Sequence, residues 1–200
     1  IGAVRADGID YEEINRNPVR CPDAAAAERM EQVIVGAKER GDSVGGVIQL
    51  DVQGMPVGLG DPVFAKLDAR LASALFSIGA VKGVEIGSGF TCAAMAGSEH
   101  NDEMSDGRFC SNHAGGILGG ISTGQPLVAR VAVKPTASIG LPQCTMDVQG
   151  RDRTIRIGGR HDPCIVPRAV PVVEAMAALV LWDALEIQDR LCAGRQEGAV

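Results

Sequence analysis

Ser111-Asn112-His113-Ala114-Gly115-Gly116-Ile117-Leu118-Gly119-Gly120-Ile121-Ser122-Thr123-Gly124 is the stretch on which the reading of this chain turns. Five of the ten residues from Gly115 to Gly124 are glycine, and each glycine costs backbone entropy relative to alanine in a helix or strand. A chain accepts that cost where φ must be positive, or where backbone has to come close to something. Directly after it, Leu127–Val133 alternates as a strand. Further out lie Lys134-Pro135-Thr136-Ala137-Ser138-Ile139 and Gly158-Gly159-Arg160-His161-Asp162-Pro163-Cys164. Together these segments put a cation, hydroxyls, a guanidinium, an imidazole and a carboxylate beside bare backbone, which is equipment for a phosphorylated, planar ligand.

The remaining elements follow from periodicity and punctuation. Asp23 is a good N-cap for a helix from Ala24 to about Arg40, with Met30, Val33, Ile34 and Ala37 on one face and Gly41 ending it. Ser43–Val52 is β-like, and Met55–Gly60 is a loop. Asp61 with Pro62 predicts a helix to about Ile78, its stripe formed by Phe64, Leu67, Leu71 and Leu75. Ala80–Ile86 and Phe90–Ala96 read as two short strands joined at Gly87-Ser88-Gly89, and polar Ser98–Ser111 as a mobile loop. Cys144–Val148 and Thr154–Ile157 suggest a hairpin turning at Gln149-Gly150. Pro171 stands near the start of a last helix ending about Leu191, apolar nearly all round and so suited to burial at a layer or subunit interface. Helices alternate with hairpins, so the expected class is α+β rather than a doubly wound parallel sheet, in one domain without an internal boundary.

Composition narrows the function. The formal charge of −6 argues against nonspecific binding to nucleic acid or an anionic membrane, both of which call for a basic surface. No apolar run reaches the ~20 residues that span a bilayer. The six cysteines are scattered without a C-x-x-C pair, which favours free thiols in a reducing, cytoplasmic setting. Ile1-Gly2-Ala3-Val4-Arg5 resembles the middle of a strand, so the chain is expected to be part of something longer.

Each chemical motif has a plain alternative. Gly115-Gly116-x-x-Gly119-Gly120 is neither the dinucleotide fingerprint nor a P-loop, and a tightly packed glycine-lined strand explains it equally well. Lys134 with Thr136 and Ser138 could clamp a phosphate, or could be a solvated lysine in an ordinary turn. Arg160 and Asp162 could meet a planar anion, or form a structural salt bridge in a loop. His100 and His113 lack metal-ligand spacing, so no metal is expected.

These segments, in this order, resemble the chorismate synthase family. The likeness extends to Gly41-Asp42-Ser43-Val44-Gly45-Gly46, Pro56-Val57-Gly58-Leu59-Gly60, Ala80-Val81-Lys82-Gly83-Val84-Glu85-Ile86-Gly87, and Arg160-His161-Asp162-Pro163-Cys164 with Glu174-Ala175-Met176. The resemblance implies antiparallel strand layers sandwiched by helices, here incomplete, in a tetrameric assembly. It also implies a lyase that takes phosphate from 5-enolpyruvylshikimate 3-phosphate by 1,4-elimination to give chorismate, using reduced FMN. Carried over by motif, Gly79, Ala80, Gly119, Lys134, Pro135, Thr136, Ala137 and Ser138 would contact FMN. Arg160 would sit at flavin and substrate, and Asp162 would assist proton removal. Family members usually have asparagine where Gly79 stands. The family's amino-terminal Gly-Glu-Ser-His-Gly segment, its second histidine and an arginine- and serine-rich stretch have no counterpart in these residues. The chain therefore reads as a carboxy-terminal portion, expected to be inactive alone. Two rivals remain: a non-catalytic flavin- or phosphate-binding module, and an inert fragment.

Overall fold

The computed structural model describes residues 1–192. The helices are α1 (Ala24–Glu39), α2 (Leu67–Phe76), α3 (Gly97–His100) and α4 (Val166–Cys192). The strands are β1 (Gly46–Val52), β2 (Val81–Ile86), β3 (Met104–Ser105), β4 (Arg108–Phe109), β5 (Ile117–Leu118), β6 (Ile121–Ser122), β7 (Leu127–Val133), β8 (Gln143–Met146) and β9 (Asp152–Ile155). Strands β1, β7 and β2 form a three-stranded sheet in that order, and β3–β4, β5–β6 and β8–β9 are antiparallel ladders. This is the expected α+β class. The backbone forms two compact units, one of Ile1–Val47 with Ala132–Val170, the other of Ile48–Val131 with the chain from Pro171 onward.

In the first unit, α1 starts where its cap dictates. The Asp23 carboxylate accepts the Ala26 N–H at 3.0 Å, satisfying a first-turn donor that has no partner inside the helix. Met30 and Ala37 of the expected stripe are buried, along with Ala26 and Ala27, and Gly41 ends the helix at φ +69°. The strand expected over Ser43–Val52 begins three residues later, at Gly46. Ile1–Val4 is a turn closed by the Val4 N–H on the Ile1 carbonyl, not strand interior. The predicted hairpin forms as β8–β9, turning over Asp147–Arg151 with Gly150 at φ +77°. Asp147 knits that turn by accepting from the Gln149 and Arg151 N–H groups and from the Arg151 guanidinium. These bonds, led by the Arg151 N–H, hold its carboxyl below the usual range.

The second unit carries an aliphatic core of Leu59, Leu67, Leu71, Leu75, Leu127, Val131 and Val173, none more than 1 % exposed. Leu67, Leu71 and Leu75 recur every fourth residue, which lines them along one face of α2. That helix is shorter than predicted. Val63 takes φ +69°, a left-handed conformation that a β-branched residue cannot continue into a helix, so Asp61 and Pro62 precede a loop and Phe64 is 99 % exposed. Helix α2 starts instead where the Leu67 N–H meets the Gly120 carbonyl at 2.8 Å. The predicted strand over Phe90–Ala96 is a short 3-10 turn, because the Glu85 side chain takes the Phe90 N–H and leaves no edge for pairing. Helix α4 begins five residues earlier than expected and carries Pro171 inside it. One stripe of it (Val173, Ala177, Leu181, Ala184) is buried, while Val172, Leu179 and Trp182 are exposed on the other side.

Ser98–Ser111, expected to be a mobile loop, is folded on itself. Helix α3 and the β3–β4 ladder occupy it, and Asp102 anchors it to the following glycine-rich stretch. The Asp102 carboxylate accepts from the Ser111 hydroxyl at 2.7 Å, the His113 N–H at 2.7 Å and the Ala114 N–H at 2.9 Å. Burial alone would raise its pKa, but those donors and the His113 ring outweigh it and hold the carboxyl below its usual value. A carboxyl lowered on folding contributes stability that is present above its unfolded pKa, about 4, and is lost as pH falls through its folded value. Amide-exchange protection factors at His113 and Ala114 should therefore be high at neutral pH and collapse in acid below about pH 4. Asp102→Asn should lose that protection already at pH 7; unchanged protection in the variant would take the anchoring role from Asp102.

Candidate functional site

In the glycine-rich stretch all five glycines have positive φ, between +62° and +88°. Most approach the protein itself. A Cβ on Gly115 would lie 2.3 Å from the Gly87 nitrogen, one on Gly116 2.6 Å from the Pro126 carbonyl, and one on Gly120 2.5 Å from the Lys66 side chain. The tight-packing reading holds for these. Strands β5 and β6 form a hairpin whose Gly119-Gly120 turn needs positive φ twice. The Pro56–Leu59 segment lies against β6: Ser122 accepts the Leu59 N–H at 2.9 Å through its hydroxyl oxygen, which donates in turn to the Pro56 carbonyl at 2.6 Å. Gly119 differs. It is exposed, and a Cβ there would meet nothing within 4 Å. The same openness marks Gly79, in the tight turn between α2 and β2, beside Ala80 at φ +71°.

The other expected residues lie in the first unit. Lys134–Ser138 leave the end of β7, and Gly158–Cys164 lead into α4. A cleft of ≈ 170 Å³ is lined by Ser138 and Gly140 from the former loop, by His161 and Asp162 from the latter, and by Lys38 and Asp42. Ser138 and Asp162 are thus brought together, whereas exposed Arg160 is not part of the lining. The guanidinium that meets Asp162 is Arg168, at 2.6 Å, and not Arg160. The Asp162 oxygen involved is Oδ2, and Oδ1 has no hydrogen-bond partner among the described residues. His161 turns its Nε2 back to the Gly158 carbonyl at 3.0 Å, closing its own loop. Lys134 and Arg160 make no ion pair among the described residues, although nine other Lys and Arg side chains do.

Thr136 carries the most telling atom. Its Oγ1 is buried and has no hydrogen-bond partner among the described residues. A buried hydroxyl left without a partner costs roughly 1–3 kcal/mol, so this oxygen has a hydrogen bond still to make, to water or to a bound polar group. Lys134 stands two residues before Thr136 in the same loop and makes no ion pair among the described residues.

A family model described as chorismate synthase matches residues 1–185. The chain belongs to the chorismate synthase family. It is 55 % identical over 180 residues to the chorismate synthase of Syntrophobacter fumaroxidans, covering 90 % of this chain and 51 % of that protein. It is likewise 55 % identical over 193 residues to the chorismate synthase of Methanothermobacter thermautotrophicus, covering 92 % of this chain and 52 % of that one. A crystal structure of chorismate synthase superposes with a TM-score of 0.73 at 36 % identity, covering 90 % of this chain and 48 % of the other. The chain therefore spans about half the length of the curated relatives it matches. The family resemblance read from the motifs and the family's α+β fold are both established by these matches.

Sequence reasoning missed two lining residues of the cleft, Lys38 and Asp42, and the ion-pair partner of Asp162, Arg168. Lys38 and Asp42 lie at and after the end of α1, where the periodic pattern assigns them only to a solvated face and a helix stop. Arg168 stands in the first turn of α4, eight residues from the expected partner of Asp162 and in another element. No residue pattern announces such pairings, because they depend on how loops from distant parts of the chain are set against one another. All six cysteines are free, Cys21 and Cys164 buried among them, and burial pushes the Cys164 thiol up. Among the described residues there is no cluster fit for a metal ion and no helix long and apolar enough to cross a membrane.

Proposed function

We propose that this chain forms the carboxy-terminal portion of a working chorismate synthase. The reaction is the 1,4-elimination of phosphate from 5-enolpyruvylshikimate 3-phosphate to give chorismate, on the shikimate route to aromatic amino acids. The observation that carries the reading is the family match along residues 1–185. The buried, unpartnered Thr136 hydroxyl supports it from the chain's own chemistry.

Those features fit reduced FMN. Thr136 and Ser138 would donate to its phosphate, Lys134 and Arg160 would balance its charge and that of the substrate, and Pro135 and Ala137 would set the loop's backbone. Gly79, Ala80 and Gly119 are taken as flavin contacts by family motif alone, and a Cβ at Gly79 or Gly119 would meet nothing within 4 Å. When bound, reduced flavin would supply electron density transiently to the substrate as phosphate leaves and recover it from the substrate, which keeps the net reaction redox-neutral. Lys134 and Arg160 stabilise the charge gathering on the leaving phosphate, in a geometry fixed beforehand by their loops. Asp162, oriented by Arg168 through Oδ2, has Oδ1 left to accept the proton that departs. We place this activity in the cytoplasm and in a homotetramer, to which the exposed Leu179 and Trp182 of α4 offer apolar surface.

The test is anaerobic chorismate formation by the full-length protein with reduced FMN, and its absence with folded protein would overturn the reading. Arg160→Ala in that protein should weaken FMN binding by ~2 kcal/mol, about 30-fold, since bonds to charged groups are the strong ones. Arg160→Lys should rescue poorly because the planar fork is lost. Affinities in both variants unchanged from the unaltered protein, by flavin fluorescence quenching, would remove Arg160 from the site.

A further inference from the structure

Gly41-Asp42-Ser43-Val44 has no assigned role, yet its bonds run to both loops of the candidate site. The Gly140 N–H donates to the Gly41 carbonyl at 2.9 Å, tying the far end of the loop that starts at Lys134. The Ser43 hydroxyl donates to the Thr136 carbonyl at 2.6 Å, across 93 residues of sequence. The Val44 N–H donates to the Pro163 carbonyl at 2.8 Å, immediately after Asp162. One short segment thus grips a Lys134–Gly140 loop at two points and the Arg160–Pro163 loop at a third. Its own shape is set by the Asp42 N–H on the Ala37 carbonyl and by the Ser43 N–H on the Asp42 carboxylate. It lies so close to the end of β7 that a Cβ on Gly45 would fall 2.4 Å from the Val133 carbonyl.

Of these ties only Ser43 to Thr136 is made by a side chain, and it ends on the residue whose own hydroxyl is buried without a partner. A carbonyl held at 2.6 Å fixes the Thr136–Ala137 peptide plane, and so restrains the direction in which Thr136 presents its hydroxyl. We propose that Ser43 is a positioning residue for the anion-binding loop: it touches no ligand, and it sets Thr136 for the cofactor's phosphate. This inference rests on the FMN reading given above. Backbone bonds at Gly41 and Val44 survive any substitution at Ser43, so the loop loses its aim without losing its attachment.

The experiment measures FMN affinity by fluorescence quenching in the full-length protein, with thermal melting alongside. Ser43→Ala should weaken FMN binding about five- to tenfold, the share of one ordinary hydrogen bond, with a melting temperature close to that of the unaltered protein. Ser43→Thr, which keeps the hydroxyl, should restore most of the affinity. Thr136→Ala should weaken binding as well, and the double variant should be no weaker than Thr136→Ala alone, because Ser43 acts only through Thr136. Unchanged affinity in Ser43→Ala, or fully additive losses in the double variant, would overturn the positioning role while the FMN reading stands. A Ser43→Thr protein that melts normally yet binds no better than Ser43→Ala would overturn it too. Failure of the unaltered protein to quench flavin at all would bring down both.

Discussion

Asp162→Asn in the full-length protein should lower kcat by about 100-fold and change KM by no more than a few-fold. Asparagine keeps the size of the side chain and an oxygen that can accept from Arg168, so the cleft and the loop should survive the exchange. What it loses is an oxygen able to take a proton. General-base assistance is worth about 10²–10⁴-fold, and the lower end applies where water can substitute in part, as at this partly exposed carboxylate. Arg168→Ala provides the contrast, since it removes orientation and leaves the base, and should cost less in kcat. A KM that rises in Asp162→Asn while kcat holds would make Asp162 a binding residue. Equal losses in the two variants would make the ion pair a structural tie of the loop.

The second large effect is on folding. Gly87→Ala should destabilise the protein by about 3 kcal/mol or more, read as a shift of the denaturant midpoint at constant slope. Gly87 sits at φ +57°, where an L side chain costs about 1–2 kcal/mol. The greater cost is contact. Its Cβ would fall 2.1 Å from the His113 carbonyl and 2.5 Å from the Gly115 nitrogen, backbone atoms that cannot swing aside. The Gly87 N–H also bonds the Val128 carbonyl at 2.9 Å, and its carbonyl takes the Arg130 guanidinium, so the residue cannot move away from the crowding. Gly150→Ala is the control: φ is +77° but nothing lies within 4 Å of the added carbon, and the cost should be only the conformational ~1–2 kcal/mol. Similar losses in the two variants would mean that conformation rather than close approach demands glycine at Gly87.

These expectations rest on information of two kinds. Local signals in the sequence were sufficient for α1, with its Asp23 cap and Gly41 stop, for β7 at its full length, and for the β8–β9 hairpin. In each the deciding interaction is between residues a few positions apart, or is a simple alternation of burial, so composition and period carry it. The family and its α+β class were also legible, because ordered blocks such as Ser111–Gly124 and Arg160–Cys164 hold their identity without reference to the fold.

The tertiary structure alone decided the rest. Asp61-Pro62 looked like a helix start, yet α2 waits until Leu67, where a carbonyl from the Gly119-Gly120 turn supplies its cap. Phe90–Ala96 has strand residues but no partner edge, since Glu85 and Arg130 fold the chain back on itself. Polar Ser98–Ser111 is ordered by Asp102, a single carboxylate whose donors come mostly from beyond the segment it orders. The glycines of the opening stretch could have served a ligand or the protein's own packing, and only the neighbouring backbone separates Gly115, Gly116 and Gly120 from open Gly119. Sequence supplied the residues Asp162 and Thr136, but not the Arg168 that orients one or the Ser43 that holds the other. A helix cap or a strand alternation is a short-range free energy and is written in adjacent letters. A loop's aim is set by hydrogen bonds closed across tens of residues, and those partners become neighbours only when the chain has folded.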